Sequence, residues 1–167
     1  MKRKLAILVE NSPGVLNHVS GLISRRGYNI ESIAASSTEK RDMTRISLVV
    51  EVGDEWQLEQ IITQLEKLVQ VFGVLRMNAP DDMSRELALI KIKSDAALRQ
   101  EVISVVEIFN GRIIDFNTEC MVIEVTNDSN KIDAFCQIMQ KYGIIEIIRT
   151  GEICLTTRPV ASADEIE

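Results

Sequence analysis

The chain has 167 residues, of which 46% are hydrophobic and 26% are charged, the composition of a globular protein rather than a disordered one. Its net charge of −6 and its pI near 5.0 argue against binding to a nucleic-acid backbone, which normally requires a basic surface. Aromatic residues make up only 4%, too few for the stacking surfaces that bind single-stranded nucleic acid.

Neither the N-terminus nor the cysteines predict an exported protein. The N-terminal sequence MKRKLAILVEN is basic and then apolar, but its apolar run is too short for a signal peptide and no cleavage site follows. No stretch approaches the roughly 20 apolar residues of a membrane span. Cys120, Cys136 and Cys154 are odd in number and lack CxxC spacing, so we expect buried free thiols in a reducing compartment. These features favour a cytoplasmic protein.

Hydrophobic periodicity predicts the order βαββαβ for the first half of the chain. A strand at residues 4–10 precedes a helix that starts near Pro13, with Ser12 as its N-cap and Gly27 at its end. The remaining elements of this half are a strand at 29–38, a strand at 46–52, a helix capped by Asp54 and a strand at 71–77.

A polar segment at residues 79–85 predicts a linker, after which the same order of elements begins again. Two helices are predicted in this half, one ending at Gly111 and the other at Gly143. The strands of this half are expected at 86–93, 112–117, 121–126 and 144–150, the last of them continuing after Gly151 through 153–156. We expect a second domain at 86–158 and a flexible tail at 159–167.

The predicted fold class is α+β, with two ferredoxin-like βαββαβ domains. In such a unit, right-handed crossovers place both helices on one face of a four-stranded antiparallel sheet. The fold alone does not indicate a function, because enzymes, RNA-binding proteins and ligand sensors all use it.

The segment between the first strand and the first helix has the features of a small-ligand site. The first N–H groups of a helix are unpaired and carry partial positive charge, so this end suits a carboxylate or a phosphate. Gly14 allows a ligand to approach the backbone, and the amide of Asn11 can accept from an ammonium group. With Val15 and Leu16 alongside, the segment suits a small aliphatic amino acid. A capped helix start whose polar groups serve only the turn would show the same spacing.

The strand at 29–38 lies at an edge of the predicted sheet. It contains no lysine or proline and only one acid to prevent pairing with another strand. Pairing with its own copy across a two-fold axis would bury both edges. That arrangement brings Asn29 and Ile30 of one subunit near the helix start of the other, so two chains would hold the ligand.

The sequences NSPGVLNHVSGLISRRGYNIES and TRISLVVE resemble the ACT domain of the acetohydroxyacid synthase (acetolactate synthase) small regulatory subunit. The later segments GDEWQLEQIITQLEKLVQV, RELALIKIK, EIFNGRIID and KIDAF are similar to the same family, so the resemblance covers nearly the whole chain. It implies an ACT domain at residues 1–78 that binds an effector and dimerises. It also implies a C-terminal ferredoxin-like domain at 86–158.

The resemblance implies a non-catalytic protein with no metal or cofactor of its own. Such a protein binds the catalytic large subunit, raises its activity and confers feedback inhibition by valine or another branched-chain amino acid. Thiamine diphosphate, magnesium and FAD are expected in that partner, which makes the first common intermediate of valine, leucine and isoleucine synthesis. The effector-binding residues that the resemblance implies are Asn11, Gly14, Val15 and Leu16, with Asn29 and Ile30 from the neighbouring subunit.

Other polar residues show no pattern of a catalytic site. His18 lies beside the apolar stripe of its helix, with no oriented carboxylate or nucleophile nearby, so we expect it at a surface or an interface. An acylphosphatase-like use of this fold would need a cation in the first loop, and residues 11–14 contain none. The acidic groups at 81–82 and 164–167 are expected to be solvated.

Two function classes remain open from the sequence. The first is a regulatory subunit of a separate enzyme, and the second is a free-standing ACT-type amino-acid sensor acting on another protein. Arg25, Arg26 and the charged turn at 39–42 fit a partner-binding surface or a solvated one equally well.

Overall fold

The computed structural model describes residues 1–77 and 80–157. The chain forms two compact units, the first comprising Met1–Met83 together with the described residues from Glu152 onward, and the second comprising Ser84–Gly151. The predicted tail at 159–167, with its acidic group, lies outside the described residues.

The first unit contains one antiparallel sheet and two helices. Its strands follow the order β2-β3-β1-β4, so β2 lies at a sheet edge as predicted. The elements in chain order are β1 (Lys2–Glu10), α1 (Val15–Arg25), β2 (Asn29–Ser37), β3 (Met43–Glu51), α2 (Glu55–Leu65) and β4 (Val71–Arg76).

The core of this unit lies between one face of the sheet and both helices. Strands contribute alternate residues because successive side chains point to opposite faces, and helices contribute residues three or four apart. The fully buried members include Leu5 and Ile7 of β1, Val19 and Ile23 of α1, and Leu65 of α2.

The start of α1 differs from the prediction. Ser12 is not its N-cap and Pro13 is not its first residue, since the helix begins at Val15 and Gly14 occupies the N-cap position. The Val15 N–H donates to the Ser12 carbonyl (3.4 Å), and Gly14 has φ 87° and ψ −9°. These angles are those of the third residue of a type II turn, which favours glycine. The Pro-Gly turn therefore delays the helix by two residues.

The second unit repeats the architecture with a separate core. Four strands of its five-stranded sheet follow the order β6-β7-β5-β8, and Ile90, Ile123 and Phe135 are among its fully buried residues. Its elements are β5 (Asp82–Lys93), which begins in the first unit, α3 (Arg99–Ile108), β6 (Arg112–Phe116), β7 (Cys120–Asn127), α4 (Ser129–Met139), a 3₁₀ turn (Gln140–Tyr142) and β8 (Ile144–Arg149). The α+β fold class with two βαββαβ units is confirmed.

The last strand, β9 (Ile153–Thr156), pairs with β5 as β8 does, so the chain continues along β5 after Gly151 as the sequence predicted. Gly151 has φ 84°, and the described chain beyond it groups with the first unit while its strand pairs with β5. Glu152 is buried and forms an ion pair with Lys4 (2.5 Å), and its backbone N–H donates to the Ser32 hydroxyl (3.0 Å). Glu152 thus has polar partners on the first sheet directly before the chain enters β9.

All three cysteines are free, and two of them, Cys136 and Cys154, are buried. Burial, with the nearby Glu152 carboxylate, raises the pKa of the Cys154 thiol to about 11. A thiol with such a pKa stays protonated near neutral pH and is a poor nucleophile. No helix in the described part of the chain is long and apolar enough to cross a membrane.

We expect Asp54→Ala to lower the free energy of unfolding of the first unit by about 1 kcal/mol, the usual value of an N-cap. Asp54 Oδ1 accepts from the Gln57 N–H (2.8 Å) at the start of α2, as the sequence predicted. Urea titration monitored by the fluorescence of Trp56, the single tryptophan, reports directly on this helix. Glu39→Ala removes an exposed carboxylate that caps no helix and should leave the midpoint unchanged.

Candidate functional site

Asn11 is held in a fixed orientation at the carboxyl end of β1. Its backbone N–H donates to the Asp42 carbonyl (2.7 Å), and its side-chain Nδ2 donates to the Arg41 carbonyl (3.2 Å). The side-chain Oδ1 has no hydrogen-bond partner within residues 1–77 and 80–157, and the side chain is exposed. Asn11 therefore presents a free acceptor to solvent beside the start of α1.

The first turn of α1 presents unpaired donors next to this acceptor. The Val15 N–H is taken by Ser12 and the His18 N–H donates to the Gly14 carbonyl (3.1 Å). The N–H groups of Leu16 and Asn17 have no acceptor among the described residues. They lie at the positive end of the helix dipole, so this turn can bind an anionic group.

Gly14 leaves the approach to these donors open. A Cβ built on Gly14 would have no atom within 4 Å, so nothing in the chain covers this position. Its left-handed conformation strains other residues, with asparagine and aspartate tolerating it best. Glycine here serves both the turn and the access to the backbone.

The two apolar residues of the turn have different environments. Val15 is 8% exposed and belongs to the core, so its side chain faces away from the turn's surface. Leu16 is 41% exposed and lies on the surface of the helix start. Within one chain, Leu16 is the side chain of this pair that can contact a ligand.

Asn29 and Ile30 lie at the opposite end of the sheet from Asn11. Asn29 pairs with Glu51, which pairs with Lys2, whereas Asn11 directly follows Glu10 at the other end of β1. The two ends of β1 are roughly 26 Å apart at the rise of a β-strand. The structure thus does not bring the two groups of predicted residues together within one chain.

Sequence reasoning missed the residues that support this turn. The β2–β3 turn supplies the carbonyls of Arg41 and Asp42, and Gln70 accepts from the Glu10 N–H (2.8 Å) through its own carbonyl. The Gln70 side chain also contacts His18 Nδ1 at 2.9 Å, and His18 is exposed as predicted. Backbone carbonyls of a turn have no sequence signature, so no pattern could have identified them.

The described residues contain no group of three or more histidine, cysteine, aspartate or glutamate side chains arranged to hold a metal ion. What the site offers is an amide acceptor, two backbone donors and an aliphatic side chain. These groups can bind a small zwitterion.

Comparisons with known proteins agree along the whole chain. Residues 5–73 match the family model described as an AHAS small subunit-like ACT domain, and residues 85–158 match the small subunit of acetolactate synthase. The acetolactate synthase small subunit of Mycobacterium leprae is 43% identical over 93% of this chain and 91% of its own length. A probable acetolactate synthase small subunit of Archaeoglobus fulgidus is also 43% identical, over 93% of this chain and 96% of its own length.

A solved structure shows the same similarity in three dimensions. The crystal structure of the acetolactate synthase small subunit from Thermotoga maritima superposes with a TM-score of 0.87 at 36% identity, covering 96% of this chain and 99% of that one. With both family models matched in order and relatives above 40% identity over nearly the full length, this chain belongs to the acetolactate synthase small-subunit family.

Proposed function

We propose that this chain is the non-catalytic regulatory subunit of acetohydroxyacid synthase. It binds the catalytic large subunit, raises that subunit's activity and makes it sensitive to feedback inhibition by valine or another branched-chain amino acid. Membership of the small-subunit family supports the choice of partner. The observation that supports effector binding is the exposed turn at Gly14, with the free acceptor of Asn11 and the free donors of Leu16 and Asn17.

In the proposed complex the effector's carboxylate binds the N–H groups of Leu16 and Asn17. Its ammonium group donates to Asn11 Oδ1, and its aliphatic side chain packs against Leu16. Charge-assisted hydrogen bonds of this kind are stronger than neutral ones, so they orient the ligand. One chain places Asn29 and Ile30 at the far end of its own sheet, where they cannot reach this turn. In the proposed complex these two residues therefore come from a second copy.

The site favours a small aliphatic effector over a charged one. None of the residues Asn11, Gly14, Val15, Leu16, Asn29 and Ile30 carries a charge. A charged side chain buried there without a partner would lose several kcal/mol of solvation. Valine, leucine and isoleucine require no such partner.

The second copy is proposed to bind through β2. This edge strand has one acid, Glu31, and no lysine or proline along residues 29–37. In an antiparallel pairing across a two-fold, the first residue of one β2 lies opposite the last residue of the other. Ser37 at the end of β2 is in the same row as Thr44 and Val9, next to Asn11. The pairing therefore brings Asn29 of the partner subunit to the end of the sheet that carries the Gly14 turn.

Reconstitution with the catalytic subunit tests this function. The assay contains the cofactors proposed for the catalytic partner, namely thiamine diphosphate, magnesium and FAD. We propose that the complex is cytoplasmic, so the assay uses cytoplasmic pH and ionic strength. Adding this chain should increase synthase activity, and valine or another branched-chain amino acid should then reduce it, whereas aspartate and lysine should not. If the chain binds valine but neither co-purifies with nor activates the synthase, the free-standing sensor is the correct function. Tight binding of aspartate or lysine without binding of valine would contradict the proposed effector class.

A further inference from the structure

The orientation of the Asn11 side chain depends on one carbonyl of the β2–β3 turn, which spans residues 38–43. Asn11 Nδ2 donates to the Arg41 carbonyl (3.2 Å), and the Asn11 backbone N–H donates to the Asp42 carbonyl (2.7 Å). A carbonyl can accept only from the NH2 group of an amide, so the Arg41 carbonyl determines which end of the side chain faces it. Asn11 Oδ1, the proposed acceptor for the effector's ammonium group, is therefore the end of the amide that stays free.

The turn itself is held by the hydroxyl of Thr38. Thr38 Oγ1 accepts from the Lys40 N–H (3.2 Å) and lies within hydrogen-bond distance of two carbonyls, those of Lys40 (3.1 Å) and Met43 (3.2 Å). Because a hydroxyl has one proton, it donates to one of these carbonyls at a time. Residues 40 and 43 flank the two carbonyls that hold Asn11, so this hydroxyl fixes the backbone on both sides of them.

Three other side chains of the turn do not hold its shape. Glu39, Arg41 and Asp42 are exposed, and their side chains make no hydrogen bond or ion pair with any residue in 1–77 and 80–157. Two backbone hydrogen bonds of 3.2 Å also close the turn, and Met43 takes part in both, once as acceptor and once as donor. None of the three charged side chains can therefore replace the Thr38 hydroxyl.

The second unit shows which of these bonds belong to the fold in general. Its first strand, β5, ends at Lys93, and the next residue, Ser94, donates its backbone N–H to the Glu119 carbonyl of the β6–β7 turn (2.9 Å). This bond corresponds to the one that the Asn11 N–H makes. Ser94 Oγ, however, has no hydrogen-bond partner in the described chain. The backbone bond is thus common to both units, whereas the side-chain bond to the turn is made by Asn11, where the effector site is proposed.

We propose that Thr38 is a positioning residue of the effector site. Its hydroxyl fixes the β2–β3 turn, the Arg41 carbonyl of that turn orients the Asn11 amide, and the amide presents Oδ1 to the effector's ammonium group. Thr38 acts through Asn11 and needs no contact with the effector. A charge-assisted hydrogen bond is strong only when the acceptor is well aligned, so the orientation of the amide affects the affinity. This inference rests on the effector site of the proposed function.

NMR titration of the full-length, isotope-labelled chain with L-valine tests this role and can measure weak binding. Thr38→Val removes the hydroxyl and keeps the shape of the side chain. It should raise the dissociation constant for L-valine about fivefold, part of the loss expected for a hydrogen bond to a charged group. Thr38→Ser keeps the hydroxyl and should bind within about twofold of the parent. Thr38→Ala also lacks the hydroxyl and should weaken binding like Thr38→Val, so it decides the matter if Thr38→Val does not fold.

The Asn11 side-chain amide gives a readout in the chain without ligand. In Thr38→Val the two Nδ2 proton signals of Asn11 should move toward those of a solvated asparagine, whereas Thr38→Ser should leave them unchanged. Asp54→Ala, which removes the cap of helix α2 in the same unit, should lower stability without moving these signals. The signals therefore distinguish a positioning role from a general loss of stability.

A double-mutant cycle tests whether Thr38 acts through Asn11. In an Asn11→Ala chain the amide is absent, so adding Thr38→Val should not weaken L-valine binding further. Thr63→Val is the matched control, because Thr63 lies at an exposed position of α2 and its hydroxyl makes no hydrogen bond in the described part of the chain. This control and Asp54→Ala should both bind L-valine like the parent. If Asn11→Ala binds no L-valine at all, the Asn11 signals decide the question.

Three results would overturn the role of Thr38. One is parent-like L-valine binding by Thr38→Val, and another is equal weakening by Thr38→Val with and without the Asn11 amide. The third is a set of Asn11 signals that Thr38→Val leaves in place. A parent chain that binds none of valine, leucine and isoleucine would instead refute the effector site of the proposed function, and the positioning role with it.

Discussion

A Gly14→Asp subunit should activate the catalytic partner as fully as the parent does while losing its response to valine. The new carboxylate would lie where the effector's carboxylate is proposed to bind, beside the free N–H groups of Leu16 and Asn17. Like charges placed together at a binding site cost several kcal/mol. We therefore expect the valine concentration for half-inhibition to rise by at least about a hundredfold.

The fold should tolerate this substitution. Gly14 has φ 87°, and a Cβ there meets no atom within 4 Å. The left-handed conformation costs about 1–2 kcal/mol for most residues and less for aspartate. The negative charge at the N-terminus of α1 returns about 0.3–1 kcal/mol through the helix dipole. The net change is small beside the usual stability of a domain.

Gly14→Asn is the control for this experiment, because asparagine has the same size and the same tolerance of the left-handed conformation but no charge. It should lose less of the valine response than the aspartate variant. Activity is measured with the reconstituted enzyme over a valine titration, and circular dichroism checks the fold. An aspartate variant inhibited as steeply as the parent would place the effector site elsewhere. A folded, dimeric variant that no longer activates the partner would show that activation also depends on this turn.

Ala35→Lys should convert the proposed dimer into monomers and abolish valine inhibition at the same time. Ala35 lies on edge strand β2 and is exposed in the single chain, so the substitution leaves the core intact. A two-fold axis would place two new lysines in the β2–β2 interface, where natural edge strands use lysine to prevent pairing. Desolvation and repulsion of these charges should weaken the dimer by at least about a hundredfold.

Both effects have a common cause if two chains form the effector site. A monomer keeps Asn11 and the free donors of α1 but lacks Asn29 and Ile30 of a partner subunit. Sedimentation velocity at micromolar concentration measures the loss of the dimer. Calorimetry measures the valine binding on which the inhibition depends. Ala134→Lys adds the same charge at an exposed position of helix α4 and should remain a valine-binding dimer. A parent chain that sediments as a folded monomer, or a monomeric Ala35→Lys that binds valine normally, would contradict the shared site.

Periodicity determined the elements well wherever apolar residues recur regularly. The βαββαβ order of both halves, the edge position of β2 and the Asp54 cap all follow from local patterns that the structure confirms. Strand β5 begins at Asp82 rather than at residue 86. Its first four residues include one apolar side chain, Met83, and that one is exposed, so they show no apolar alternation. Local patterns are reliable here because a helix or strand that buries one face needs apolar residues at the period of that element.

The start of α1 shows where two local signals compete. Ser12 and Pro13 fit a capped helix start, but Pro13 and Gly14 also fit the centre of a type II turn, and the left-handed Gly14 shows that the turn forms. The sequence indicated the segment that carries the candidate site. The structure showed which groups remain free, namely Asn11 Oδ1 and the Leu16 and Asn17 N–H groups. No local pattern could show this, because the N–H and Nδ2 of Asn11 bond to carbonyls that are distant in the chain.

The sequence by itself determined the fold class, the repeated architecture and the segment that carries the candidate effector turn, since each depends on residues close together in the chain. Only the tertiary structure decided where the Glu152 carboxylate lies, because Glu152 finds its partners Lys4 and Ser32 across more than a hundred residues of chain. It also decided that Asn29 and Asn11 lie at opposite ends of one sheet, through strand registers that no local pattern specifies.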